Sequence, residues 1–430
     1  MTASRGVARF HAYAASVLLP LVTGTVPSRW TGYYLLIALV AMALALPARR
    51  APWSGRLALG LAALAVSAAA ADTAARPFTA RWLYARPDEA FVRHWPPLPI
   101  VPRFESNVDV ETEVSGDLAR GPRFAAAREP RRVRFTTDAA GFPNEPGVLG
   151  AAPDLILLGD SFGVGVGTTR EDTWGTRLGR GRRLYNLSVT TMSPWQEYVT
   201  LGLEIDRLGA PAGTPVLWAI FTGNDLDEVY SATVDLAAIP RNGPAAALAV
   251  SWQTFRNRSP VRQVVDRLAT RARDVGRVLE RDLPGGGTVL FYSIYDERRR
   301  RDVAAIRAHP SWPLLAHTVP AAARMTRDRG LRLSVVLVPS KEEVYAWLLD
   351  GAPPWSTTAA PSGFAGALAA VCREQGVPFL DLKPALLTAA PRAWARDRAL
   401  LWWRDDTHWN ARGHAVAAAA VREHVLDARP

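Results

Sequence analysis

The sequence has little cysteine and little lysine, and both shortages limit what the chain can be. Its single cysteine, Cys372, excludes an internal disulfide, and its place in a predicted helix that ends at Gly376 indicates a buried apolar residue rather than a nucleophile. Only two of the 430 residues are lysine, so the net charge of +11 comes almost entirely from arginines spread along an alanine-rich chain. The one dense run, 298–301, lies between acidic residues and predicts a solvated face. We therefore expect no nucleic-acid partner.

The sequence also lacks internal repeats and the composition of a disordered chain. With 49% hydrophobic and 21% charged residues, it resembles a globular protein and differs from disordered or collagen-like chains. At this length we expect two or three folding units with a sizeable core.

Three windows between arginines in the first eighty residues contain almost no charge. They are 10–28, 30–48 and 57–75, and each is 19 residues long. A helix needs about 20 apolar residues to cross the hydrocarbon layer, so we predict two or three transmembrane helices within residues 1–76, the alanine-rich third being the weakest.

The arginines around these windows predict an orientation. They are concentrated before the first window and in the loop after the second, which places the N-terminus and that loop in the cytoplasm. We expect a protein of the cytoplasmic (inner) membrane whose remaining residues face the periplasm or another extracytoplasmic space. If only two spans insert, the remainder would instead be cytoplasmic.

Residues 77–150 are rich in proline and arginine, with short strand-like pieces such as 132–137, and we interpret them as a connector. A domain at 151–430 follows, with an insertion at about 226–330 that could act as a lid. Helical spacing, as at Phe364, Leu368 and Val371, fills most gaps between its strands. Strands that alternate with helices predict a parallel sheet with helices on both faces. The five predicted strands are 154–158, 183–187, 214–221, 331–338 and 377–382.

A serine follows the first predicted strand in the segment Gly159-Asp160-Ser161-Phe162, before the glycine-rich stretch 163–167. Open α/β folds bind ligands at the carboxyl ends of their strands, and glycines let backbone amides approach an oxyanion. The alternative is an ordinary strand-to-helix turn with a capping residue. The glycine spacing is not that of a dinucleotide-binding loop, and no phosphate-loop lysine follows.

Further polar residues follow the third and fifth predicted strands. Asn224 supplies an amide suited to an oxyanion, and Asp405 and Asp406 precede His408 closely enough to orient its imidazole. The alternative for Asn224 is an ordinary turn, and the alternative for the aspartates and His408 is an acidic turn beside a structural histidine. Because His408 and His414 are six residues apart without a second cluster of ligands, we predict no metal and no cofactor.

This arrangement of serine, asparagine and aspartate/histidine resembles the SGNH hydrolases, also called the GDSL-type esterase superfamily, over about residues 131–425 apart from the insertion. The resemblance implies a flavodoxin-like three-layer α/β/α sandwich with a parallel five-stranded sheet. It also implies Ser161 as the nucleophile, His408 as the base, and an oxyanion hole formed by the Ser161 backbone N–H and Asn224.

Two features depart from the family pattern. The glycine that donates to the oxyanion after the second strand is not evident, and a backbone N–H of Ser188 or Thr191 would have to replace it. The triad acid is either Asp405, by the usual family spacing, or Asp406, by the spacing of the alginate acetyltransferase-like branch; we favour Asp406. The segment 338–345, which contains Lys341, also suggests that branch.

The resemblance implies a membrane-anchored serine esterase that acts on an acyl ester, expected to be acetyl, of a cell-envelope or extracellular glycan or lipid. One alternative is an O-acetyltransferase of a polysaccharide that uses the same site, with envelope polysaccharide machinery as its partner. Another is an inactive SGNH-like scaffold that binds polysaccharide through its tryptophans. Lys341 and Trp409 are the candidate substrate contacts. The alternatives are a solvated loop lysine at 341 and a tryptophan at 409 that packs in the core or at its rim.

Overall fold

The computed structural model describes residues 86–95, 98–120, 122–148, 150–227 and 277–427, together with five single positions between residues 60 and 71. The chain divides into two compact units, and every element named below belongs to the unit Ala85–Leu236 and Ala272–Pro430. The predicted membrane spans, apart from those single positions, and residues 228–276 of the predicted insertion lie outside the described residues. Within the described part of the chain, no helix is both long enough and apolar enough to cross a bilayer.

Within the described residues, the strands form one central sheet and three two-stranded sheets. In chain order they are β1 (Val92–Trp95), β2 (Leu98–Phe104), β3 (Asp109–Val114), β4 (Arg131–Thr136), β5 (Leu155–Leu158), β6 (Leu184–Asn186), β7 (Pro215–Phe221), β8 (Val278–Asp282), β9 (Thr288–Tyr292), β10 (Arg332–Val338) and β11 (Phe379–Asp381).

The central sheet has five parallel strands in the order β11-β10-β7-β5-β6. Numbered within the sheet, this is the 2-1-3-4-5 order of flavodoxin-like folds, in which the carboxyl ends of the strands share one edge. Each of the five runs predicted from the sequence contains one of these strands. The predicted parallel five-stranded α/β sheet is therefore confirmed.

The described residues also form α-helices, several of which cover the two faces of this sheet. They are α1 (Pro87–Phe91), α2 (Ser161–Val164), α3 (Trp174–Leu178), α4 (Pro194–Leu208), α5 (Ser293–Arg299), α6 (Val303–Arg307), α7 (Trp312–Arg327), α8 (Lys341–Val344), α9 (Ala346–Asp350), α10 (Gly363–Glu374), α11 (Lys383–Asp397) and α12 (Ala411–Val421). The helical spacing at Phe364, Leu368 and Val371 is confirmed by α10.

Successive strand residues point to opposite faces, and the two hydrophobic cores show this directly. In β5, Ile156 and Leu158 belong to the core beneath α4, α7 and α10. Leu155 and Leu157 belong to the core beneath α3, α11 and α12. The single cysteine, Cys372, is buried in the first core, as expected of a small apolar residue. The described unit is thus a three-layer α/β/α arrangement.

The segment after residue 277 forms two strands followed by a helix. The second strand, β9, ends at Tyr292, and α5 begins at Ser293. The glycines 285–287 all have positive φ and turn the chain between β8 and β9, which pair antiparallel. Farther along, α7 packs on α4 and β10, so it serves as the crossover helix that leads into β10.

Candidate active site

Local sequence places the serine at the carboxyl edge of the sheet. After β5 ends at Leu158, the Asp160 side chain caps α2 by accepting the Phe162 backbone N–H at 2.9 Å. The helix ends after one turn at Gly165, whose φ of 82° is in the left-handed region that favours glycine. Ser161 is therefore the first residue of a very short helix directly above the sheet.

The structure brings Ser161, His408 and Asp406 into one hydrogen-bonded line. Ser161 Oγ lies 2.8 Å from His408 Nε2, and His408 Nδ1 lies 2.8 Å from Asp406 Oδ1. Asp406 is completely buried and the His408 side chain nearly so. The nucleophile, base and acid positions of a serine triad are matched by these distances.

The structure also separates the two candidate acids. Asp405 does not contact His408; its carboxylate accepts the backbone N–H groups of Gly116 and Glu129, each at 2.8 Å, and an Arg131 N–H at 2.9 Å. Asp405 thus ties the loop to the amino-terminal part of the unit. Of the two aspartates, Asp406 is the one placed to orient the imidazole.

Two arginines that the sequence interpretation did not single out hold Asp406. Arg131 Nη2 donates to Asp406 Oδ2 at 2.5 Å, and Arg86 Nη1 donates to Oδ1 at 3.3 Å and lies 3.1 Å from His408 Nδ1. Burial opposes ionisation of Asp406, but the Arg86 guanidinium and the hydrogen bond from His408 hold its pKa well below the usual range. In the sequence, these arginines are two of many in the segment that we interpreted as a connector, and nothing in their spacing marks them.

The structure contradicts the expected substrate contact at Lys341. Its side chain is 0% exposed, and Nζ donates to the carbonyl oxygens of Leu290 at 2.7 Å and Trp403 at 3.0 Å. Burial lowers the pKa of Lys341. Because the ammonium group is used to fix the backbone beside the Asp405–His408 loop, it supports that loop and cannot reach a ligand.

The structure likewise contradicts a substrate contact at Trp409. This side chain is fully buried and packs edge-on against the rings of Phe162, Trp174 and Trp402. It packs between the nucleophile turn, residues 159–165, and the loop that carries His408. The next residue, Asn410, caps α12 and accepts the Arg412 N–H at 2.9 Å.

The candidate oxyanion donors lie at the ends of β7 and β6. Half-buried Asn224 follows β7, and the Arg298 guanidinium donates to the carbonyl oxygen of the preceding Gly223. After β6, the Ser188 N–H already donates to Asn186 Oδ1 at 2.9 Å, which contradicts Ser188 as a donor to an oxyanion. Thr191 is exposed and has a φ of 69°, which is rare for a β-branched residue.

Three side chains in this region have the donor atoms of a metal site. Asp117, Asp406 and His408 place one ligand atom each within 4.8 Å of one another. Arg86 Nη1 lies 3.3 Å from Asp406 Oδ1 and 3.8 Å from Asp117 Oδ2. A guanidinium therefore already neutralises these carboxylates, so the group does not suit a cation.

Comparison with known proteins shows that part of the chain matches a family model. Residues 290–430 match a family model described as the SGNH hydrolase-like domain of acetyltransferase AlgX; the match includes Asp406 and His408 but not Ser161 or Asn224. No curated protein matches the chain. Among solved structures, the crystal structure of protein YXIM from Bacillus subtilis is similar with a TM-score of 0.34 and 8% identity, over 75% of each chain. Over residues 290–430, the chain therefore matches the SGNH superfamily in its AlgX-like branch, as the sequence predicted.

Proposed function

We propose that this protein is an SGNH-type serine esterase that cleaves an acyl ester, expected to be acetyl, of a glycan or lipid. The observation that carries the proposal is the unbroken line from Ser161 Oγ through His408 to Asp406, with 2.8 Å at both steps. A serine hydroxyl is a weak nucleophile until an adjacent base can take its proton. The family match over residues 290–430 supports the same chemistry.

In the proposed reaction, His408 Nε2 takes the Ser161 proton while Oγ attacks the ester carbonyl carbon. The negative charge that develops on the carbonyl oxygen is stabilised by the Ser161 N–H and the Asn224 amide, and we assign the role of third donor to the backbone N–H of Thr191. His408 then returns the proton to the departing alkoxide, which leaves an acyl-serine and a free alcohol. In the second half, His408 activates water in the same way and the acid is released.

A second candidate function is transfer of the acyl group to a sugar hydroxyl. The acyl-serine and its formation are the same, and only the acceptor in the second half differs. This candidate is favoured by the family model, whose description names an acetyltransferase. Membrane anchoring and an extracytoplasmic location suit either reaction. We propose the anchoring and the location from the sequence.

An inactive polysaccharide-binding module is less well supported. Trp402 and Trp409, two of the tryptophans considered for sugar stacking, are buried and pack on each other with centroids 6.1 Å apart. They cannot present a ring face to a sugar. A binding module also has no need of a serine, a histidine and an aspartate held in hydrogen-bonded line.

The test compares the purified full-length protein with Ser161→Ala on a small acetyl ester, with and without oligosaccharide acceptors. Removal of a triad serine is expected to lower the rate by about 10⁴-fold or more. Ser356→Ala serves as a control, because Ser356 is exposed and lies outside the site. Acetate released into water supports the esterase, whereas acetyl found on the sugar supports the transferase. Equal rates for wild type and Ser161→Ala would overturn the proposal.

A further inference from the structure

Arg131, on β4, bridges two adjacent carboxylates, those of Asp405 and Asp406. Both belong to the acid–base loop, residues 402–410. Its Nη1 donates to Asp405 Oδ1 at 2.9 Å and its Nη2 to Asp406 Oδ2 at 2.5 Å. Both carboxylates are completely buried, and two buried negative charges on neighbouring residues repel each other unless a cation lies between them. A planar guanidinium is the side chain whose geometry suits such a bridge.

The guanidinium itself is held from several sides. Nε donates to the Gly167 carbonyl at 3.0 Å and Nη1 also donates to the Glu129 carbonyl at 2.9 Å, while the group lies 4.3 Å from the centre of the Trp403 ring. A Cβ at position 167 would lie 3.0 Å from Arg131 Nη2 and 3.3 Å from Asp406 Oδ2. Glycine there leaves room for the ion pair. Arg131 is therefore a fixed group rather than a flexible surface cation.

The ion pair with Arg131 determines which carboxylate oxygen of Asp406 faces His408. Arg131 occupies Oδ2, and Oδ1 is left to accept the proton of His408 Nδ1. An imidazole that donates from Nδ1 has Nε2 free to accept the serine proton. The orientation of the carboxylate thus decides whether the imidazole is ready to act as a base.

We propose that Arg131 is a positioning residue for the reaction of Ser161: by bridging Asp405 and Asp406 it fixes the carboxylate orientation that makes His408 a base. The proposal rests on the proposed function, because it has no meaning without a serine-dependent reaction. Among the described residues, the other charged groups near this ion pair include Arg86, Asp117, His408 and the buried Lys341. None of them donates to both aspartates, and the Lys341 ammonium donates to backbone carbonyls instead.

The main experiment measures kcat, KM and the pH–rate profile of full-length Arg131→Gln. Loss of a group that orients a catalytic residue typically costs 10- to 100-fold, so we expect a fall of about that size in kcat, with little change in KM. The Arg131 charge helps to lower the pKa of Asp406, so its loss makes protonation of this carboxylate easier, and the acidic limb of the profile should move to higher pH. Partial unfolding alone would lower the amount of active enzyme and leave KM and the limb in place.

Arg134→Gln is the matched control. Arg134 lies on the same strand and also pairs with carboxylates, namely those of Asp109 and Glu171, but it is part-exposed and remote from His408. We expect wild-type kcat and an unchanged pH profile. If Arg131→Gln does not fold, Arg131→Lys carries the test, because lysine keeps the positive charge but lacks the planar fork that holds both carboxylates in fixed orientations. It should give an intermediate kcat and a smaller shift of the limb.

A double variant tests the route of the effect. If Arg131 acts through Asp406, then Arg131→Gln should lower kcat by less than about twofold in an Asp406→Asn background. The inference is overturned if Arg131→Gln keeps the wild-type kcat and pH limb, or if its full effect persists in that background. Equal activity of Ser161→Ala and wild type would instead overturn the proposed function, so the two failures are distinguishable.

Discussion

The two halves of the candidate site are held in place in different ways. The nucleophile turn, residues 159–165, depends on its own neighbours: Asp160 caps the helix and Gly165 ends it. The acid–base loop, residues 402–410, depends on partners far away in the chain. Hydrogen bonds from Arg131 and Arg86 reach it across 274 and 320 residues, respectively. One half of the site is encoded locally and the other by tertiary structure.

This difference gives residues 86–148 a function beyond connecting two regions. Gly116, Asp117, Glu129 and Arg131 all contact the acid–base loop, and β3 pairs with β4 to carry them. The active geometry of Asp406 therefore depends on a segment that precedes the nucleophile in sequence. Disturbing that segment should affect the base and leave the position of Ser161 unchanged.

The sharpest test within the loop compares Asp406→Asn with Asp405→Asn. An amide at 406 cannot enforce the required tautomer of His408, and we expect kcat to fall by about 10⁴-fold. An amide at 405 can keep the acceptor for the Gly116 N–H, so we expect a loss of about tenfold, caused by weaker bridging through Arg131. Steady-state kinetics of both variants decide the matter, and a larger loss for Asp405→Asn would reverse the assignment of the triad acid.

Buried Lys341 contacts the acid–base loop and lies next to Glu342 in the chain, and the pH dependence of stability tests the charge of Glu342. Glu342 is completely buried beside Lys341, and burial raises its pKa to about 7. Since the unfolded chain releases this proton near pH 4.5, the folded state binds more protons between about pH 4.5 and 7, and stability falls as pH rises through that range. The raised pKa of Glu342 lowers the free energy of unfolding by about 3 kcal/mol above pH 7 and has no effect below about pH 4.5.

Glu342→Gln should remove this dependence, because the amide oxygen can still accept the Tyr292 N–H that Oε1 accepts at 2.8 Å. Thermal unfolding of wild type and variant at pH 5 and pH 9 measures the effect: the variant should be the more stable protein at pH 9 and nearly equal at pH 5. If wild type and Glu342→Gln had the same Tm at pH 5 and also at pH 9, Glu342 would not stay protonated in the folded protein near neutrality.

The same contrast explains how much could be predicted from sequence. The β5 strand, Ser161 and the glycine turn form one continuous local pattern, and β7 with Asn224 forms another, so their common edge followed from parallel strand topology. Asp406 and His408 could be named for a similar reason, since a spacing of two residues already limits how far their side chains can separate.

What could not be predicted depends on contacts without a local pattern. Arg86 and Arg131 carry no spacing that distinguishes them from other arginines of the chain, and only the folded hairpin brings Arg131 to Asp406. Lys341 looked like a ligand contact because it follows a strand at the functional edge. Its burial arises from the packing of β9 and the 403–404 backbone around it, which no periodicity in its own segment reveals.

The smallest expected effect concerns the local half of the site. Asp160→Ala removes a helix cap and should cost about 1 kcal/mol of stability, and Asp302→Ala, which removes the cap of α6, should cost about the same. Only Asp160→Ala should also lower kcat, by a few fold, because Asp160 Oδ2 lies 3.2 Å from Ser161 Oγ and helps to hold it. Urea unfolding and steady-state kinetics of both variants measure these effects. If Asp160→Ala lowered kcat as much as Asp406→Asn, Asp160 would belong to the chemistry, and the nucleophile turn could no longer be regarded as a local structural element.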